Sequence, residues 1–169
     1  MPRPEPGTFA AYYTNYIAKV KEDELLPAFD AQQNLMEDFF RGISEEKANY
    51  AYAPGKWTIK ELLQHVIDTE RVFSYRAMCI ARGEKQSLPG FDENEYAATS
   101  QANDRHWNDM LEEMISVRLS SRLLFSSFDD EQLTKTGTAN NNKLGVLAAG
   151  YIILGHVYHH VQIIQERYL

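Results

Sequence analysis

The chain has 169 residues, of which 44% are hydrophobic and 24% charged, enough for one domain with a substantial core. Its formal net charge is −7 and no cluster of Lys and Arg interrupts it, which excludes a phosphate-tracking nucleic-acid surface and a polybasic membrane anchor. No apolar run reaches membrane-span length, the N-terminus lacks the apolar core of a secretory signal, and a single cysteine, Cys79, permits no internal disulfide, so a cytoplasmic protein is expected.

The pattern along the chain is helical, without alternating apolar and polar runs. The opening "MPRPEPG", residues 1–7, carries three prolines and no periodicity, and is expected to be flexible. A short helix is predicted over 8–20. The first long helix covers 24–42, with Leu25, Phe29, Leu35, Met36, Phe39 and Phe40 at helical spacing and Pro27 in its first turn. One helical turn at Ser44 to Lys47 interrupts the connection that follows. The second long helix covers 58–82. Thr58 precedes Glu61 by three residues, the spacing of a capping box, and Trp57 and Leu62 stand where a hydrophobic staple clamps the entry. Gly83 supplies a left-handed C-cap.

"GEKQSLPGFDENEY" reads as a loop with a Pro-Gly turn at 89 and 90. The third long helix covers 103–127, "SFDDEQLTKTGTANNN" connects, and the fourth covers 143–168. The expected fold is all-α: a four-helix bundle over residues 1–169, with the short N-terminal helix packed outside it. Glycines at 145, 150 and 155 share no one face of the last helix; close approach of neighbouring helices explains them most simply.

The last helix carries "LGHVYHHVQII", with His156, His159 and His160 in five residues. At about 100° per residue, His160 lies about 40° from His156, with Ala149, Ile153 and Ile163 around them, whereas His159 lies about 60° to the other side. His156 and His160 therefore sit in the apolar stripe. A pair one turn apart on one face fits a metal ion, and equally fits two core histidines hydrogen-bonded to neighbours. His65, in "ELLQHVIDTER", shares its face with Leu62, Thr69 and Val72 and is a third imidazole able to face the interior. Burying three imidazoles without partners costs about 1–3 kcal/mol each, and one divalent cation would satisfy all three. Three protein ligands leave a coordination position open, as in catalytic zinc sites. Simple parallel packing of the two helices would offset His65 from His156 by about 9 Å along the axis, which stagger would have to remove. His106, beside Trp107, reads as a surface residue.

Among the carboxylates, Asp68 and Glu70 read as a solvated face beside Arg71 and Arg76. Asp68 is also a candidate to orient an imidazole, while Glu70 lies about 140° from His65 and cannot share a ligand position with it. Asp92, Glu93 and Glu95 occupy a loop from which an acid or base could be delivered to a pocket. Cys79, between Arg76 and Arg82, reads as an apolar filler rather than a thiolate nucleophile.

"APGKWTIKELLQHVIDTERVFSYRA", "ARGEKQSLPGFDENEY" and "GTANNNKLGVLAAGYIILGHVYHH" together resemble the DinB/YfiT-like superfamily of metalloenzymes, and more closely its DinB_2 branch, over nearly the whole chain from about residue 20. The resemblance implies a four-helix bundle with a three-histidine site for a divalent metal, nickel or zinc, and a homodimer. Carried over by position, the ligands are His65, His156 and His160, with His159 outside the triad. It implies chemistry on a small molecule, either thiol transfer from a low-molecular-weight thiol such as bacillithiol or mycothiol, or hydrolysis. A metal-binding or interaction module without catalysis is the alternative. Asp68, Glu70 and Asp92 are the candidates for acid-base work beside a metal-bound water or thiol.

Overall fold

The computed structural model describes residues 2–169. Its helices in chain order are α1 (Thr14–Ile17, preceded by a 3-10 turn Ala11–Tyr13), α2 (Leu25–Arg41), α3 (Glu45–Ala48), α4 (Ile59–Ala81), α5 (Glu93–Thr99), α6 (Trp107–Ser126), α7 (Asp130–Thr134) and α8 (Val146–Arg167). A hairpin of β1 (Thr136–Ala139) and β2 (Asn142–Gly145) precedes α8. The long helices α2, α4, α6 and α8 form a four-helix bundle. Among the described residues no helix is long and apolar enough to cross a membrane.

Local chemistry sets the ends of α4. The Thr58 hydroxyl accepts from the Glu61 amide at 3.1 Å, and the Glu61 carboxylate accepts from the Thr58 amide at 2.7 Å, which closes the capping box. At the other end Gly83 takes φ +90°. Its amide donates to Ile80 and that of Glu84 to Cys79, the paired bonds of a Schellman cap. The Trp57 ring does not serve simply as a staple: it packs on His65, centroid to centroid 5.0 Å.

Four predicted segments are redrawn. The predicted 8–20 helix shrinks to α1 and its 3-10 turn, because Phe9 bridges Leu144 and the Ala10 amide donates to Lys143, which holds residues 8–10 extended against the hairpin. The 83–96 loop contains α5, capped by Asp92, whose carboxylate accepts from the Asn94 and Glu95 amides. The third long helix begins at Trp107 rather than 103, where the Glu45 carboxylate accepts from the Trp107 amide at 2.7 Å. The connection before the last helix holds α7 and the hairpin, so α8 begins at Val146. The hairpin turn is Asn140-Asn141, at φ +48° and +58°, the left-handed pair that a two-residue hairpin loop requires.

Within the opening segment Arg3 is anchored, donating to the carbonyls of Ile17, Val20 and Glu22 at 2.8–3.1 Å; Met1 lies outside the described residues.

The bundle runs α4 and α8 antiparallel. At one end the Tyr168 hydroxyl donates to the Trp57 carbonyl, just before α4. At the other, Lys135 donates from its side chain to Ala81 and accepts on its carbonyl from Val146, the first residue of α8. This removes the axial mismatch that parallel helices would impose: His65 and His160 both lie about two turns from the same end of the bundle.

The core has two apolar halves. One gathers Leu25, Phe29, Phe125, Tyr151 and Ile152, the other Met36, Phe40, Leu63, Ile67, Met110 and Ile164. At the waist between them lies a buried ionic group. Arg118, 0% exposed, donates to both carboxylate oxygens of Glu70 at 2.8–3.2 Å and to Gln32 Oε1 at 2.5 Å. Gln32 in turn donates to the Leu154 carbonyl at 2.8 Å. One residue from each long helix thus enters a single network. Glu70 is therefore not on a solvated face, as its sequence context suggests; it is the counter-ion of a fully buried guanidinium.

The N-terminal segment lies on α8 and is more than an external ornament. A Cβ on Gly155 would fall 1.9 Å from the Tyr16 carbonyl oxygen, so only glycine lets the two backbones meet there. That contact places Tyr16 beside the next residue, His156.

Candidate metal centre

His65 from α4 and His156 and His160 from α8 converge. His65 Nε2 lies 3.0 Å from His156 Nε2, which lies 2.9 Å from His160 Nε2. The three offer ligand atoms all within 4.8 Å of one another. The geometry follows from sequence: His156 and His160 are one turn apart on one face, and the antiparallel α4 brings His65 to their level. His156 and His160 are each 8% exposed, and His65 is half-buried.

Burial dominates their protonation. It holds His156 and His160 well below the ordinary imidazole value, reinforced by the neighbouring histidines. His65 is lowered to about 4, first by burial, with Glu93 pulling the other way. At neutral pH all three rings are neutral, the form that ligates metal. A neutral ring has one N–H and one lone pair, so three Nε2 atoms facing one another cannot all be mutually satisfied. His160 Nδ1 is buried and has no partner among the described residues. A set of three imidazoles without a carboxylate suits zinc or nickel, and the residues present fit such an ion.

The triad is the floor of a cleft of about 530 Å³. The cleft lies on the flank of the α4–α8 pair that faces the N-terminal segment, not in the bundle interior expected from the apolar stripe. Tyr16 packs edge-on to His156 at 5.6 Å and to His159 at 5.3 Å.

The chain matches the DinB_2 profile, described as DinB superfamily, over residues 28–164. The chain belongs to the DinB superfamily. Its fold is similar to the solved structure of YfiT from Bacillus subtilis, described as a probable metal-dependent hydrolase with an unusual four-helix bundle topology. The TM-score is 0.73 at 13% identity, over 98% of this chain and 91% of that one. No curated protein matches the chain.

In this DinB-superfamily chain the other sequence candidates divide clearly. His159 lines the cleft, half-buried, but stays outside the triad. His106 is exposed at the start of α6. Asp68 faces no imidazole; it accepts from Gln64 at 2.9 Å and stands 3.8 Å from Arg71. Burial raises its pKa. Asp92 is an exposed helix cap, and the acid delivered to the cleft is its neighbour Glu93. Cys79 is half-buried and lies outside the cleft lining.

Thr69 and Arg76 also line the cleft, and neither is among the site residues expected from sequence. Their signal was periodic: on α4 they lie about 40° and 20° from His65, on one strip. The aromatic walls, Tyr13, Trp57 and Phe91 among them, gave no local signal, since they arrive from three separate segments.

Proposed function

We propose that the chain is a metal-dependent enzyme acting on a small molecule, with His65, His156 and His160 holding one divalent ion, nickel or zinc. The observation that carries this reading is the meeting of three neutral imidazoles at the floor of an accessible cleft, with the Nε2 atoms of His65 and His160 each about 3 Å from that of His156. When bound, such an ion would lower the pKa of a coordinated water or thiol and so supply a nucleophile at neutral pH.

The chain's own residues supply the rest. Trp57 against His65 and Tyr16 against His156 fix the ring orientations and limit water at the floor. Glu93, exposed on the lining of the cleft that holds His65 and Tyr16, is the carboxylate available to take the proton of an incoming water or thiol. Tyr13 and Tyr16, both with pKa values raised chiefly by burial, remain protonated and can donate hydrogen bonds to a substrate.

Thiol transfer to a small electrophile ranks first, on the family resemblance; hydrolysis is the second reading, favoured by the description of YfiT. The test is a screen of the metal-loaded chain with low-molecular-weight thiols against a fluorogenic electrophile, and in parallel with activated esters. Turnover that disappears on chelation and in His156→Ala supports the proposal, and the active arm selects between the two chemistries. A chain that retains metal yet turns over nothing in either arm is a binding module, and the enzymatic reading fails.

A further inference from the structure

Two polar groups in the cleft have no role in the triad. Arg76 is only 3% exposed, yet among the described residues its side chain makes one hydrogen bond, from Nη2 to the Pro89 carbonyl at 2.7 Å. Among the described residues no carboxylate lies within 4.0 Å of its nitrogens. Arg118, which is fully buried, shows what a compensated guanidinium looks like in this fold: a two-pronged carboxylate and an amide. The Thr69 hydroxyl is likewise buried without a partner among the described residues.

Thr69 and Arg76 stand on the His65 strip of α4, at one and three turns from it, so Arg76 is about 16 Å from His65 along the axis, Cα to Cα. The Arg76 Cζ lies 5.1 Å from the ring of Phe73, a residue one turn nearer to His65 that lines the same cleft. Phe91 approaches it at 5.9 Å. Aromatic contacts occupy guanidinium faces and leave the in-plane N–H groups for an anion. The titratable groups sharing the cleft are distributed to match: Glu93 acts on His65 and Tyr16, and the Tyr13 phenol near Arg76 is kept neutral by burial. Burial lowers the Arg76 pKa, as expected for a charge lacking its counter-ion.

We infer that the cleft takes an elongated small molecule with a carboxylate or phosphate at one end, seated on Arg76 with Thr69 hydrogen-bonding along its length, so that its other end reaches the three histidines. This rests on the proposed function in taking the cleft as the substrate site. Binding Pro89 alone would make Arg76 a brace for the 84–92 segment, and that role predicts no preference among ligands.

The test uses 6-mercaptohexanoate, 6-mercaptohexyl phosphate and the neutral 6-mercaptohexanol on the nickel-loaded chain, read by thiolate-to-nickel absorption. At least one anionic thiol should bind about tenfold or more tightly than the alcohol, and which one distinguishes carboxylate from phosphate. The preference should vanish in Arg76→Gln and survive in part in Arg76→Lys, while 6-mercaptohexanol binding stays unchanged in both and reports an intact cleft. Hexanoate and hexyl phosphate are titrated in parallel against the metal-free chain, with hexanol as the neutral control, using tryptophan fluorescence, to which Trp57 in the cleft and the buried Trp107 both contribute. That arm decides the anion seat even if nickel fails to bind and the metal reading falls. Equal binding of acids and alcohol in both arms, or a preference unchanged in Arg76→Gln, overturns the inference.

Discussion

The Arg118 network and the histidine triad lie at the same level of the bundle, on opposite flanks of the α4–α8 pair, and are completed in different ways. Around Arg118 every charge is matched from within: two carboxylate oxygens, an amide and a backbone carbonyl close a circuit through all four long helices. Around His156 the chain supplies only imidazoles, which crowd their lone pairs together and leave His160 Nδ1 without a partner among the described residues. The first arrangement is finished by folding. The second is left open to a group the chain does not encode, which is the physical mark of a candidate site.

The sharpest way to break the comparison is at Arg118. Arg118→Met leaves the Glu70 carboxylate and Gln32 Oε1 buried without a donor and should cost about 3–5 kcal/mol in urea unfolding. Replacing Arg118, Glu70 and Gln32 together by Met, Leu and Leu should recover most of that loss, since an apolar waist needs no matching charge. A single variant that unfolds like the wild type would show the network to be incidental.

The triad should respond to ligand instead. At a metal concentration a hundredfold above the dissociation constant, nickel or zinc at pH 7.5 should stabilise the wild type by about 2.7 kcal/mol, and His65→Ala, His156→Ala and His160→Ala should each lose this gain. Thermal unfolding with and without chelator measures it. Persistence of the gain in any of the three removes that residue from the ligand set.

Acid separates the two clusters further. The unfolded chain takes up protons at the triad near the ordinary histidine pKa of ~6.5, whereas the folded metal-free chain resists, at His65 until about 4. The unfolded state therefore binds more protons across this window, and stability should fall as pH drops from about 6.5 toward 4. Melting temperatures of the metal-free protein should show this slope, and His156→Asn combined with His160→Asn should flatten it. An equal slope in that variant would assign it to other groups.

These two clusters were unequally legible in the sequence. The capping box at Thr58 and the pairing of His156 with His160 are local, so spacing alone exposes them. His65 was recognisable by the face it shares with Leu62 and Thr69, but its height relative to the pair depended on the antiparallel course of α4 and α8. Glu70 with Arg118 was illegible because the partners are 48 residues apart on different helices, and a carboxylate next to Arg71 looks solvated. The hairpin is hard to read from sequence because its strands are four residues each, with Thr136 and Thr138 set among Gly, Ala, Asn and Lys and no alternating apolar run; the Asn-Asn turn is its clearest mark. The hairpin matters to the site: Leu88 pairs with it, and this fixes the segment carrying Phe91 and Glu93 over the cleft.

The smallest expected effect is at His159, which is half-exposed at the rim. His159→Ala should change stability by no more than about 0.5 kcal/mol and leave metal affinity near the wild-type value. A loss equal to that of His160→Ala, seen in a metal titration, would put His159 in the ligand set.

The most direct measurement is metal content. The chain, purified without a histidine tag, is dialysed to equilibrium against nickel or zinc at pH 7.5 beside His156→Ala, and both are submitted to elemental analysis. Three neutral imidazoles meeting at one point predict one ion per wild-type chain and none retained by the variant. Equal metal in the two proteins, or none in either, would contradict the assignment of His65, His156 and His160 as a metal centre.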